Sequence, residues 1–218
     1  VGVLHMTGPD GQPPTDEDGM RGFRSIAAQT GLRLGVIRLL ADPRLQASTD
    51  ALTGLFNRRA FEEAAMPHLR SDAGGALVIA DLDHFKRLSD THGHGVGDRA
   101  LVLFAQTLRQ NVRPTDLVAR FGGEGFVIML PGCDTDEAAQ VLERVRTALR
   151  EALAGTAIPN FTASMGLARF PVDGNGVDQL VAVADEALYE AKGAGRDRVL
   201  VAGWGADQPL LVTQAAEA

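Results

Sequence analysis

The sequence predicts a mixed α/β (α+β) domain with a ferredoxin-like core: a central, mainly antiparallel sheet flanked by helices, with a long helix in front of it. Three observations carry this. Residues 76–80, Ala-Leu-Val-Ile-Ala, form an unbroken apolar run, the pattern of a strand buried on both faces, and the run ends in Asp81-Leu82-Asp83. Residues 118–130 hold two apolar stretches around Gly122-Gly123, the pattern of a β-hairpin with its tight turn at the glycines. Helical periodicity lies on both sides of these strands. The resulting order, βα(α)ββαβαβ, fits a split βαβ core carrying extra elements and not a doubly wound parallel sheet.

Taken in order, residues 1–6 alternate loosely as a strand, and Gly8, Gly11, Pro13 and Pro14 break the chain after it. Thr15 followed by Asp18 gives a capping-box pattern, and Met20, Phe23, Ile26 and Ala27 continue at helical spacing toward Leu40. One strand and one helix cannot bury an apolar face alone. Residues 1–41 are therefore expected to be the end of an upstream domain with its signalling helix, an arrangement similar to the C-terminal end of a GAF sensor domain. Asp42 as a cap and Pro43 as the first residue of a new turn place a linker at residues 42–49. From Asp50 an opening motif leads into a helix ending near Leu69, ahead of the buried strand. A helical stretch at 84–92 follows, then a glycine-broken segment at 93–98 and a helix at 99–112. Beyond the hairpin, Thr135 opens an amphipathic helix bearing Ala138, Leu142, Val145 and Leu149, residues 161–168 read as a strand, 177–192 as a helix and 198–202 as a last strand. The domain is thus expected to span 50–203, with 204–218 a poorly ordered tail.

Composition narrows the function. The 218 residues allow one domain and part of a second, and a hydrophobic fraction of 45% supplies a core. A net charge of −7 with only 5% aromatics argues against a nucleic-acid binder, which needs a basic field and stacking rings. No apolar run is long enough to cross a bilayer and no signal-peptide pattern opens the chain, so no membrane contact is expected of this fragment. The single cysteine, Cys133, and five histidines without zinc-ligand spacing fit a reducing, cytoplasmic setting. Because the chain opens with Val inside a strand pattern, it reads as part of a longer protein.

The candidate chemistry gathers at two strand ends. Glycine lacks a Cβ, so Gly122 and Gly123 let a bulky anion approach the backbone while Glu124 projects beside it. Hard divalent cations take oxygen ligands, and Asp81, the Leu82 carbonyl and Glu124 offer them. Phe85 and Lys86 open a helix whose free N–H groups can hold phosphate, and Lys192 with Arg196 complements anionic charge near a helix end. Either cation alone reads equally as one that a helix C-terminus prefers, and the pair together favours the anion.

Motifs in register connect these residues. They are Asp50-Ala-Leu-Thr-Gly-Leu-Phe-Asn-Arg-Arg59, Asp81-Leu-Asp-His-Phe-Lys86, Gly93-His-Gly-Val-Gly-Asp98, the loop from Gly122 to Phe126, Thr162-Ala-Ser-Met-Gly166, and Ala184 to Lys192 with Gly195-Arg196. In this order they resemble the GGDEF family of diguanylate cyclases. The resemblance implies a palm-type nucleotide cyclase core. It also implies a head-to-head homodimer that joins two GTP into cyclic di-GMP with Mg²⁺ or Mn²⁺, metal ligands at Asp81, Leu82 and Glu124, and a catalytic need for Asp81 and Glu124. Two departures from the family pattern stand out: Gly125 replaces a second acid, and Ser89 replaces an asparagine that reads guanine together with the acid matching Asp98. The resemblance further implies an inhibitory cyclic di-GMP site at Arg113 and Asp116 of Arg113-Pro-Thr-Asp116, assisted by Arg144. Two functions follow from it, a cyclase weakened by Gly125 and Ser89 or a module that binds cyclic di-GMP or GTP without turnover. An upstream sensor domain in the same polypeptide would gate either one.

Overall fold

Asn57 starts the first helix: its side chain accepts from the Ala60 N–H at 2.9 Å, satisfying one of the donors a helix N-terminus leaves open. The computed structural model describes residues 48–204, so the strand and long helix expected at residues 1–41, and all of the tail beyond Trp204, lie outside the described residues. In chain order the elements are β1 (Phe56–Asn57), α1 (Arg58–Leu69), β2 (Gly75–Leu82), α2 (Phe85–His92), α3 (His94–Asn111), β3 (Leu117–Gly122), β4 (Gly125–Pro131), α4 (Thr135–Ala154), β5 (Ala163–Phe170), α5 (Val177–Gly193) and β6 (Val199–Val201).

The strands form one sheet in the order β1-β3-β4-β2-β5-β6. The four inner strands pair antiparallel, and the short outer strands β1 and β6 add in parallel. Strands β2 to β5 with the helices between them make the βαββαβ ferredoxin-like core, mixed α/β with helices on the sheet as the sequence predicts. Period-two alternation in β2 sends its side chains to opposite faces. Val78 and Leu82 join the cluster built with Phe104 and Leu108 of α3 and Leu142 of α4, whereas Leu77 and Ile79 join Phe61 of α1 and Leu180 of α5. Burying each such large side chain stabilises by about 1.5–3 kcal/mol, and Phe104 packs edge to face on Phe126 with ring centroids 5.1 Å apart. Asp134 and Glu137 form a reciprocal capping box at the start of α4.

Several boundaries differ from the sequence reading. The segment read as glycine-broken is the first turn of α3, because Gly93 alone takes the left-handed break at φ 86 and the helix runs on from His94. The hairpin turn is Gly123-Glu124, since Gly122 still pairs with Gly125 across a bulge at Phe121. Strand β5 runs two residues later than periodicity suggests. Ser48 and Thr49, read as linker, pair with the opening motif: Thr49 bridges Phe56, and the Asn57 N–H reaches the Ser48 carbonyl at 3.1 Å. Trp204, read as the start of the tail, packs partly buried against the core.

Candidate active site

Register places the site. Asp81, next to last in β2, lies opposite Gly125 of β4 on one side and Ser164 of β5 on the other, so the strand end and the hairpin end share one edge. Gly122 and Gly123 have φ of 135° and 41°, which L side chains rarely adopt, and a Cβ on either would meet nothing within 4 Å. The backbone there is glycine-dependent and faces open space. Arg120 fixes the turn from beneath: its Nη2 donates to the Gly123 carbonyl at 2.6 Å, and its Nη1 reaches the two Asp50 oxygens at 3.2 and 3.3 Å. Asp50 also accepts from the Thr53 N–H and hydroxyl, so the opening motif and the signature turn are clamped together.

Lys192, in the last turn of α5, places Nζ 2.8 Å from Asp81 Oδ1. What brings α5 so close is Gly166 of β5, where a Cβ would lie 2.0 Å from the Ala184 carbonyl oxygen. Helix and strand therefore meet backbone to backbone. Burial pushes the Asp81 carboxyl up, Lys192 pulls it back down, and the charges of Asp83 and Asp185 push it up again, leaving it above its ordinary value. Burial likewise raises Glu124, with Asp81 adding to the rise and Lys192 opposing it. Asp81, Glu124 and Lys192 thus form one electrostatic unit. Sequence reasoning had aimed Lys192 at phosphate; here it holds a carboxylate.

Helix α2 begins at His84, which sits in the left-handed region at φ 57 and supplies no side-chain cap, leaving the first N–H groups of Phe85 and Lys86 uncapped. Leu82 is buried in the core, which leaves only its backbone carbonyl as a candidate donor. Ser89 is buried, and its Oγ lies 3.2 Å from His94 Nδ1. A Cβ on Gly97 would sit 3.2 Å from Ser89 Oγ, which seats α3 closely on α2 and brings exposed Asp98 alongside. Arg196 stands in the loop after α5 at φ 63, and its side chain makes no ion pair among the described residues.

That loop is anchored by residues to which the sequence reading gave no role. Asp83, 3% exposed, accepts from Thr162 Oγ1 at 2.6 Å, Ser164 Oγ at 2.7 Å and the Asp197 N–H at 3.2 Å. Arg146 of α4 ion-pairs with Asp197 and Glu143. The alternating Thr162 and Ser164 at the start of a buried strand were the available signal, since buried hydroxyls need partners.

The Arg113–Asp116 turn lies apart from this cluster. Asp116 is buried, its Oδ2 accepts from the Arg113 N–H at 2.7 Å, and its Oδ1 has no hydrogen-bond partner. The turn borders a cavity of about 530 Å³. Arg144 projects from α4, where its Nη2 donates to the Asn111 carbonyl at 2.7 Å.

Residues 47–198 match the family described as diguanylate cyclase, GGDEF domain. The chain belongs to the GGDEF family of diguanylate cyclases. It is 43% identical over 171 residues to the diguanylate cyclase DgcP of Pseudomonas aeruginosa, covering 75% of this chain and 25% of that protein. It is 41% identical over 161 residues to the diguanylate cyclase DgcM of Escherichia coli, covering 72% and 38%. The crystal structure of the GGDEF domain of DgcB from Caulobacter crescentus in complex with c-di-GMP superposes with a TM-score of 0.65 at 31% identity, covering 72% of this chain and 96% of that one. The chain spans less than half the length of the curated relatives it matches. No described helix is long and apolar enough to cross a membrane.

GGDEF cyclases generally use divalent metal ions. Among the described residues no three His, Cys, Asp or Glu side chains cluster closely enough to cage an ion alone. The donors present nonetheless fit a hard divalent cation, because Mg²⁺ is commonly bound by one or two carboxylates together with substrate phosphates. The charge of Asp81 helps push the Glu124 carboxyl up, and a cation held by the two would relieve that repulsion.

Proposed function

We propose that this chain is a diguanylate cyclase-type signalling module. Two GTP molecules, one on each subunit of a homodimer, are condensed so that each 3′-hydroxyl attacks the partner's α-phosphate and each pyrophosphate leaves, giving cyclic di-GMP. The observation that carries this reading is the convergence of Asp81, Glu124 and Lys192 at the glycine turn. Open space beside Gly122 and Gly123 admits the triphosphate, and the uncapped N–H groups of Phe85 and Lys86 orient it. Lys192 and Arg196 add positive charge, while Ser89 and Asp98 face the purine edge. Asp81, Glu124 and the Leu82 carbonyl would hold a Mg²⁺ or Mn²⁺ ion, which would supply positive charge against the phosphates. Product binding at Arg113, Asp116 and Arg144 provides feedback, and an upstream sensor in the longer polypeptide sets the dimer geometry.

Gly125 and Ser89 lower turnover and base selectivity in this reading. A second reading is an inactive GGDEF module that binds cyclic di-GMP or GTP. It is favoured by the lack of a three-carboxylate cluster among the described residues and by Lys192 already holding Asp81. Incubation with GTP and Mg²⁺ followed by chromatography separates the two: cyclic di-GMP above the level of an Asp81→Ala control supports the cyclase, and its absence in a protein that still binds cyclic di-GMP supports the binding module.

A further inference from the structure

We propose that the cavity between α2 and the segment leading into β5 is a binding site for a small phosphate monoester with an apolar body, separate from the nucleotide site. The cavity, about 310 Å³, lies at the lower end of the roughly 300–1,000 Å³ of small-molecule sites. It runs along one face of α2, from His84 to His92, and residues 159–162 form its opposite wall. An α-helix turns about 100° per residue, so Arg87 and Thr91 on this face stand about 160° around α2 from Ser89, to which the proposed function gives the purine. The inference does not depend on turnover, because none of Asp81, Glu124, Lys192 and Arg196 lines the cavity.

The lining supplies a cation, further donors and an apolar floor. Arg87 is exposed and its side chain makes no hydrogen bond or ion pair among the described residues, so its guanidinium is free to take phosphate oxygens in pairs. Thr91 stands one turn further along the helix, and Asn160 lies on the opposite wall. Neither side chain has a partner among the described residues, and both can donate to oxygens that Arg87 does not reach. Leu88 and Phe161, both largely buried, form the floor on which a carbon skeleton packs. One acid lines the cavity, Asp83, and its oxygens are taken. Its Oδ1 accepts from Ser164 Oγ at 2.7 Å, and its Oδ2 accepts from Thr162 Oγ1 at 2.6 Å and from the Asp197 N–H at 3.2 Å. Arg87 is therefore left without a carboxylate partner. A lone cation beside an apolar floor suits an anion with an apolar body, and the additional donors favour phosphate, which presents three oxygens where a carboxylate presents two.

The test is titration of the whole chain with phenyl phosphate, inorganic phosphate and benzoate, followed through the backbone amides by proton–nitrogen correlation NMR, for the parent, Arg87→Ala and Lys192→Ala. Arg87 is exposed and lies outside the apolar core, so its truncation leaves the fold intact. The expected result is saturable shifts at residues 87–92 and 160–162 with millimolar phenyl phosphate, at least tenfold weaker binding for Arg87→Ala, and less than threefold change for Lys192→Ala, whose cation belongs to the nucleotide site. Inorganic phosphate, which lacks the apolar body, and benzoate, which lacks the third oxygen, should each bind at least threefold more weakly than phenyl phosphate. Shifts confined to Phe85, Lys86 and the hairpin turn, and lost in Lys192→Ala, would put the anion in the nucleotide site and overturn the inference. Inorganic phosphate binding as tightly as phenyl phosphate overturns the apolar floor, and benzoate binding as tightly overturns the phosphate class. Binding untouched by Arg87→Ala, or no shifts at all in the parent, overturns the site itself.

Discussion

Lys192 Nζ sits 2.8 Å from Asp81 Oδ1, so a cation from α5 is bound to one of the two carboxylates that the proposed chemistry needs. Both acids are held above their ordinary values, by burial first; Asp83 and Asp185 add to the rise of Asp81, Asp81 adds to that of Glu124, and Lys192 opposes both. Replacing Asp81 or Glu124 by Ala should abolish cyclic di-GMP formation with little change in the unfolding midpoint, because neither side chain belongs to the apolar core. Product assays beside thermal melts check this, and parent-like turnover by Glu124→Ala would remove Glu124 from the mechanism.

Gly125 differs from the two glycines before it. Its φ is outside the left-handed range, and a Cβ would meet only the Gly122 carbonyl oxygen, at 3.7 Å, an ordinary contact. Gly125→Glu should therefore fold without strain and place a further carboxylate beside Asp81. We expect turnover to rise at least tenfold, about 1.4 kcal/mol of transition-state stabilisation. A folded variant with unchanged turnover in a steady-state GTP assay would show that this glycine is not the limiting departure.

Burial opposes the ionisation of Asp50, but hydrogen bonds from Thr53 and the charge of Arg120 outweigh it and hold the carboxyl below its usual range. The sign follows from linkage. The folded value lies below the unfolded one, so the stabilisation is complete above the unfolded value, near pH 4, and is lost as pH falls through the folded value. Asp50→Ala should cost about 1–3 kcal/mol at pH 7, and the gap between variant and parent should narrow below pH 4. Urea midpoints at pH 7 and pH 3 test it, and a gap that stays constant would mean the charge of Asp50 contributes nothing.

Ser89 reaches His94 at 3.2 Å and stands beside Gly97, at the place where the family pattern has an asparagine. Ser89→Asn should restore a paired donor and acceptor toward guanine and raise the ratio of GTP to ATP affinity by about tenfold, within the roughly 1–3 kcal/mol a buried polar partner contributes. Competition titration with the two nucleotides measures the ratio. An unchanged ratio would place Ser89 away from the base.

The sequence by itself determined the inner strands and the succession of elements along the chain, though not the short strand β1, because the apolar run at 76–80, the glycine hairpin and the amphipathic stretch after Thr135 have different periods. It also singled out Asp81, Glu124 and the glycines as candidates, through motifs that stand in register with the GGDEF pattern. Tertiary structure alone decided which groups meet. Lys192 lies more than a hundred positions from Asp81, and their contact depends on Gly166 letting α5 rest on β5. The partners of Asp83 and the clamp from Arg120 to Asp50 are likewise joined across the sheet. Local patterns report burial and backbone preference within a turn or a strand. A hydrogen bond between distant residues leaves no periodic trace, because it depends on packing distances that appear only once the layers close.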